Sequence, residues 1–152
     1  MDKITFNLDT QKILKLLAND IYDSPYALLR ENVQNAYDAI LMRQKKESFE
    51  PKIEIKVESG KIIISDNGIG MTLDVIKNNY WKAGSSGKNN PEAKAAGVVG
   101  TFGIGAMANF GICTTLEIVT RHYLGDLTFK STAVRDKLEV GKDCIDQEET
   151  DT

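Results

Sequence analysis

With 152 residues, 41% of them hydrophobic and 27% charged, the chain has the length and composition of one folded domain that can bury a core. A net charge of −3 disfavours a domain whose main work is gripping nucleic-acid phosphate, and nothing approaches the ~18 consecutive apolar residues of a membrane span. The single histidine, His122, with two separated cysteines, Cys113 and Cys144, excludes a zinc cage and gives no basis for a Ser-His-Asp machine.

The first predicted element is a helix over 11–21, where Ile13, Leu14, Leu17 and Ile21 recur at helical spacing behind Asp9 or Thr10 as N-cap. Ser24-Pro25 starts a second helix, with Ser24 as cap and Pro25 at the first helical position. That helix runs over 26–45. Leu29, Val33, Ala36 and Ile40 fall on one stripe, and Glu31, Asn35 and Asp38 fall on the opposite side. After Pro51 the period changes to two: Ile53, Ile55 and Val57 alternate with charges, Ser59-Gly60 turns, and 61–65 returns as an apolar run, a β-hairpin. Thr72 caps a short helix reaching about residue 80. Residues 81–99, rich in Gly, Ser and Asn, read as a functional lid or linker. A helix over 103–110 follows, then strands over 115–121, 127–131 and 138–140. The acidic tail, 143–152, is expected to be frayed and disordered. The sum is an α+β domain over 1–142, a two-layer sandwich of helices on one face of a mainly antiparallel mixed sheet.

Three polar segments carry chemistry. The first is Glu31-Asn32-Val33-Gln34-Asn35-Ala36-Tyr37-Asp38-Ala39. Asparagine is a mediocre helix former, and two of them beside Glu31 and Asp38 make a cluster of oxygen ligands instead of an alternating salt-bridge face. Magnesium prefers oxygen donors and keeps waters, so one amide oxygen plus phosphates is a sensible site. The second segment is Asp66-Asn67-Gly68-Ile69-Gly70-Met71, where an aspartate on a glycine turn can accept from an exocyclic amine and so tell adenine from guanine. A solvated helix face and a plain turn would give the same letters for these two segments. The third is Gly97-Val98-Val99-Gly100-Thr101-Phe102-Gly103-Ile104-Gly105. Its G-x-G-x-x-A match follows a flexible loop instead of a buried strand, against a Rossmann unit, and Gly84-Ser85-Ser86-Gly87-Lys88 is too short for a phosphate loop. Bare amides entering a helix N-terminus, which bind anionic phosphate, are common to both motifs and survive here.

In this order the segments resemble the GHKL superfamily of ATPases (gyrase, heat-shock protein 90, histidine kinases and MutL), and within it the N-terminal ATP-binding domain of heat-shock protein 90. Asp66-x-Gly68-Ile69-Gly70-Met71-Thr72 and Gly100-Thr101-Phe102-Gly103-Ile104-Gly105 match that family's adenine and phosphate boxes. The resemblance implies the Bergerat ATP-binding fold and slow, magnesium-dependent ATP hydrolysis that drives lid closure. It makes Glu31 the general base and Asn35 the magnesium ligand. Asp38 would contact the nucleotide, Asp66 would read adenine, Gly70 and Met71 would line the base, and Ala39 would lie beneath it. Gly100, Thr101, Phe102, Gly103, Ile104 and Gly105 would wrap the phosphates, and Ser85, Ser86 and Lys88 on the lid would meet a phosphate on closure. ATP and ADP, further domains of a longer protein, a second subunit and client proteins are the implied partners, in the cytoplasm, with no membrane and no direct nucleic acid. A DNA clamp of the MutL or topoisomerase type and a histidine-kinase catalytic domain share the pattern. Two features depart from the chaperones. The chain ends before a clear equivalent of their adenine-supporting threonine, and residues 80–88 differ from the usual chaperone lid.

Overall fold

The computed structural model describes residues 1–7, 9–16, 25–82, 106, 109–139 and 141–150. Asp9 Oδ1 accepts from the Lys12 N–H at 3.2 Å, and helix α1 (Thr10–Leu16) starts directly behind that cap. The rest of the expected first helix lies outside the described residues. Helix α2 (Pro25–Gln44) opens on Pro25, whose fixed φ and missing N–H suit a first helical position. Strands β1 (Ile53–Glu58) and β2 (Lys61–Asp66) form the expected hairpin, in a register that sets Ile55 opposite Ile64 and Ile53 opposite Asp66. The hairpin's far end stands away from the core, with Ile55, Val57 and Ile62 exposed.

Thr72 Oγ1 accepts from the Val75 N–H, capping α3 (Leu73–Val75) as expected. The helix then widens into a π-helical segment, Ile76–Tyr80, closed by the Trp81 N–H donating to the Ile76 carbonyl. A single 3₁₀ turn, Asn109–Gly111, precedes β3 (Thr115–Thr120), β4 (Thr128–Val134) and, after another 3₁₀ turn, β5 (Asp146–Thr150). Strand β4 is central, antiparallel to both neighbours. Helices on antiparallel sheets bear out the α+β class. Among the described residues every strand pairing is antiparallel, so none of these strands supplies the parallel pair of a mixed sheet.

Leu14, Phe110 and Ala133 are buried together, joining α1, the first 3₁₀ turn and β4, and Trp81, Cys113, Leu116, Leu138 and Ile145 pack around them. Polar ties follow the same path. Gln11 Nε2 donates to the Arg135 carbonyl at 2.9 Å, and Arg135 Nη1 donates to the Phe110 carbonyl at 3.2 Å. Cys113 and Cys144 are both free thiols, and burial pushes the Cys113 thiol up from its ordinary pKa.

Three sequence expectations need correction. The tail expected to be frayed forms β5, because its backbone completes the β4 edge and Ile145 reaches the core just before it. No strand covers 138–139: the Leu138 N–H closes a 3₁₀ turn on the Arg135 carbonyl, and the Lys142 N–H then bonds the Glu139 carbonyl. Trp81, counted as the first residue of the lid, packs against the core.

Candidate functional site

Helix α2 is buried on both sides. Ala36 and Ile40 lie on the expected apolar stripe, but Leu28 and Asp38 are buried as well, and Asp38 is 0% exposed. The side of α2 opposite the apolar stripe is therefore covered at Asp38, against the alternative of a solvated face. Gln34 Nε2 donates to Asp38 Oδ1 at 2.9 Å, and the chain after β2 closes over the next turn of the helix. The Ile69 N–H donates to the Ala39 carbonyl at 2.9 Å. A Cβ on Gly68 would overlap backbone atoms of Ala39 and Ile40, so only glycine lets the turn lie this close.

The rest of the 66–71 segment is pinned along its length. Asp66 Oδ1 accepts from the Gly68 N–H at 2.9 Å, an Asx turn that fixes the carboxylate at the end of β2. Asn67 ties the turn to the segment before β1: its Oδ1 accepts from the Lys52 N–H at 2.8 Å, and its Nδ2 donates to the Glu50 carbonyl at 2.7 Å. Further along, the Tyr123 N–H donates to the Ile69 carbonyl at 2.8 Å, and the Met71 N–H donates to Thr120 Oγ1 at 3.0 Å. Gly70 has φ +70°, and a Cβ there would run into the Arg121 carbonyl. Asp66 keeps an exposed face, yet partial desolvation raises its carboxyl above the ordinary aspartate pKa, and the Gly68 N–H opposes that shift.

Glu31, Asn35 and Ala39 are four residues apart and share one stripe of α2, with Asp38 beside its end. The structure thus brings Ala39 and Ile40 against the turn that carries Asp66, Gly70 and Met71, with buried Asp38 the next residue on the helix and half-buried Asn35 and Glu31 one and two helical turns from Ala39. Among the described residues no group of three or more His, Cys, Asp and Glu is placed to hold a metal ion. One half-buried amide beside carboxylates suits a hard cation that brings phosphate and water ligands with it. Ser85, Ser86, Gly100, Thr101, Phe102, Gly103, Ile104 and Gly105 lie outside the described residues, as do Lys88 and the expected lid beyond Lys82.

Asn32, counted from the sequence among a cluster of oxygen ligands, has a structural partner instead. Its Nδ2 donates to Asn109 Oδ1 at 2.6 Å and to the Leu28 carbonyl at 2.9 Å, so buried Asn109 is locked to α2 beside Glu31. The signal available was a second polar residue four positions past the glycine loop. An open depression of about 350 Å³ lined by Tyr37, Ile40, Gln44, Pro51, Lys52 and Ile53 holds none of the expected site residues, and we do not assign nucleotide to it.

A family model described as histidine kinase-, DNA gyrase B- and HSP90-like ATPase matches residues 22–150. The chain belongs to this family. The match spans both α2 and the 66–71 turn, so the helix and the turn just described are parts of an ATPase domain. Among curated relatives, the mitochondrial TNF receptor-associated protein 1 homolog of Dictyostelium discoideum is 32% identical over 140 residues, covering 79% of this chain and 19% of that protein. The chaperone protein HtpG of Campylobacter jejuni is 30% identical over 142 residues, 82% of this chain and 23% of its own length. HtpG of Buchnera aphidicola is 35% identical over 138 residues, with 78% and 22% covered. The chain therefore spans about a fifth of the length of these relatives.

Proposed function

We propose that this domain binds ATP with magnesium and hydrolyses it slowly, driving lid closure and a conformational switch of the HSP90 kind in a longer protein. The observation that carries the reading is the seating of the 66–70 turn on Ala39 within a family match over 22–150. Glu31 lies eight residues back from Ala39 on the same stripe, roughly 12 Å along the helix axis at ~1.5 Å per residue. That separation suits a nucleotide stretched between a base reader and a water-activating carboxylate.

In this reading Asp66, as carboxylate, accepts a hydrogen bond from the adenine amino group, with Gly70 and Met71 against the base and Ala39 beneath it. Asp38 contributes from the floor of the same pocket. Asn35 holds magnesium, which when bound neutralises phosphate charge. Gly100, Thr101, Phe102, Gly103, Ile104 and Gly105 wrap the phosphates through backbone amides, and Ser85 and Ser86 meet a phosphate when the lid closes. Glu31 takes a proton from water as its oxygen attacks the terminal phosphorus and ADP departs, a contribution of ~10²–10⁴-fold. The domain alone is slow because the switch completes its site with further domains and a second subunit, and client proteins are the downstream partners.

No helix among the described residues is long and apolar enough to cross a membrane; cytoplasmic residence is part of the proposal. The HtpG relatives are named chaperones, which favours this reading over a DNA clamp or a histidine kinase. Calorimetric titration with magnesium ADP, ATP and GTP tests it. Adenine nucleotides bind and guanine nucleotides bind far more weakly; equal affinity for the two would remove Asp66 as the base reader.

A further inference from the structure

The 66–71 turn is tied to its surroundings mainly through backbone and neutral groups, with one charged exception at the end of α2. Arg43 Nη1 donates to the Asn67 carbonyl at 2.5 Å. The same guanidinium points Nε and Nη2 at Glu47 Oε1, at 2.9 and 2.7 Å. Its plane lies over the Phe49 ring at 4.1 Å from the centroid and faces the Tyr123 ring at 5.9 Å. Glu47 and Phe49 thus fix the guanidinium before it reaches the turn, and Tyr123 is the residue whose N–H holds the Ile69 carbonyl on the turn's other side.

We propose that Arg43 is a positioning residue for nucleotide-base recognition, holding the Asp66-Asn67-Gly68 turn at the height on α2 where the Asp66 carboxylate meets the base. The inference rests on Asp66 as the adenine reader. Its physical content is specific to arginine. Only a planar fork can stack on Phe49, satisfy Glu47 through one edge and still present a donor to the Asn67 carbonyl. Arg43 itself touches no nucleotide: it lies one helical turn past Ala39, on the side of the turn where Asn67 faces the 50–52 segment. Loss of the clamp leaves the turn bonded at Ala39 and Tyr123 and frees the Asp66 end. Adenine selectivity then falls while the phosphate end of the site is unaffected.

The test compares magnesium ADP and magnesium GDP affinities by calorimetry, with melting temperatures, for the full chain and for Arg43→Ala, Arg43→Lys, Asp66→Asn and Arg43→Ala/Asp66→Asn. Arg43→Ala weakens ADP binding about tenfold, equivalent to about 1.4 kcal/mol, with GDP affinity little changed, so the ADP/GDP ratio falls. Arg43→Lys recovers part of that loss, because it keeps the charge and a donor but not the stacked fork. In the Asp66→Asn background Arg43→Ala has no further effect on the ratio. If Arg43→Ala does not fold, Arg43→Lys carries the test, with a reduced ratio expected at an unchanged melting temperature. A folded Arg43 variant with an unaltered ADP/GDP ratio overturns the inference, whatever its melting temperature. Failure of the underlying reading is seen separately: the unsubstituted chain would then show no adenine preference, or Asp66→Asn would leave that preference intact.

Discussion

Glu31 on α2 and Asp66 at the end of β2 are both carboxylates, and the proposed function gives them different work. Glu31 sits half-buried on α2. A Glu31→Ala variant of the longer protein should bind magnesium ATP normally and lose ~10²–10⁴-fold in turnover, measured by phosphate release under single-turnover conditions; unchanged turnover would remove it as the base. Asp66 has a carboxyl pKa raised by desolvation. Its carboxyl is therefore harder to ionise in the folded chain than in the unfolded one, and stability falls as pH rises from the ordinary aspartate value through the raised one. Asp66→Asn has no such charge to bury. Its melting temperature relative to the unsubstituted chain should increase across that interval and then level off, in melts from about pH 3 to about pH 8. A difference independent of pH would contradict the desolvation. These two residues stood out as candidates in the sequence because Glu31-x-x-x-Asn35 and Asp66-x-Gly68-x-Gly70 come in the order that the family uses, although either run alone could be a solvated helix face or a plain turn. Arg43, Asn67 and Asn109 were not legible. An arginine near a helix end and an asparagine in a turn are ordinary letters, and their partners lie 15 to 77 residues away in sequence.

At the scale of elements, α2 and the hairpin followed from period and punctuation. Pro25 opened the helix, and alternation after Pro51 gave β1 and β2 nearly to the residue. What periodicity missed was that the polar side of α2 is also covered. A helical wheel reports which residues are apolar, not whether another segment lands on the polar ones. Gly68 and Gly70 were the available hint, since glycine in a turn permits either a positive φ or a close approach. The structure uses both: Gly70 for φ and for the Arg121 carbonyl, Gly68 for contact with α2. Gly70→Ala should cost about 3 kcal/mol, combining a left-handed backbone without glycine and a steric overlap with main chain that cannot swing aside. Denaturant unfolding would read this as a lower midpoint at constant slope. A loss below about 0.5 kcal/mol would mean that the turn moves off β3 without penalty.

For the molecule as a whole, the least legible part was the C-terminal strand. Asp146-Gln147-Glu148-Glu149-Thr150 has no apolar residue and every position is exposed, so nothing in the segment itself distinguishes it from a solvated tail. The instruction lies in its partner. Strand β4 buries Ser131 and Ala133 completely, Ser131 Oγ donates to Gln147 Oε1, and Lys130 stands opposite Glu148 in register while pairing with Glu117 of β3. A charged outer strand also closes the sheet with an edge that discourages further pairing. Ile145, directly before the strand, is the residue that joins it to the Leu14, Phe110 and Ala133 core. Two consequences follow for a chain truncated after Asp143. The β4 edge loses its ladder partner, and the core loses an apolar neighbour. The combined loss is about 3 kcal/mol, which for a domain of this size lowers the melting temperature by roughly 10 °C. A solvated tail would leave the melt untouched. Substituting Ile145→Asp in the untruncated chain separates the two contributions, since it removes the core contact and keeps the backbone of the ladder. It should account for more than half of the truncation's effect, because it removes an apolar contact and sets a charge beside the core, whereas an exposed edge ladder contributes little.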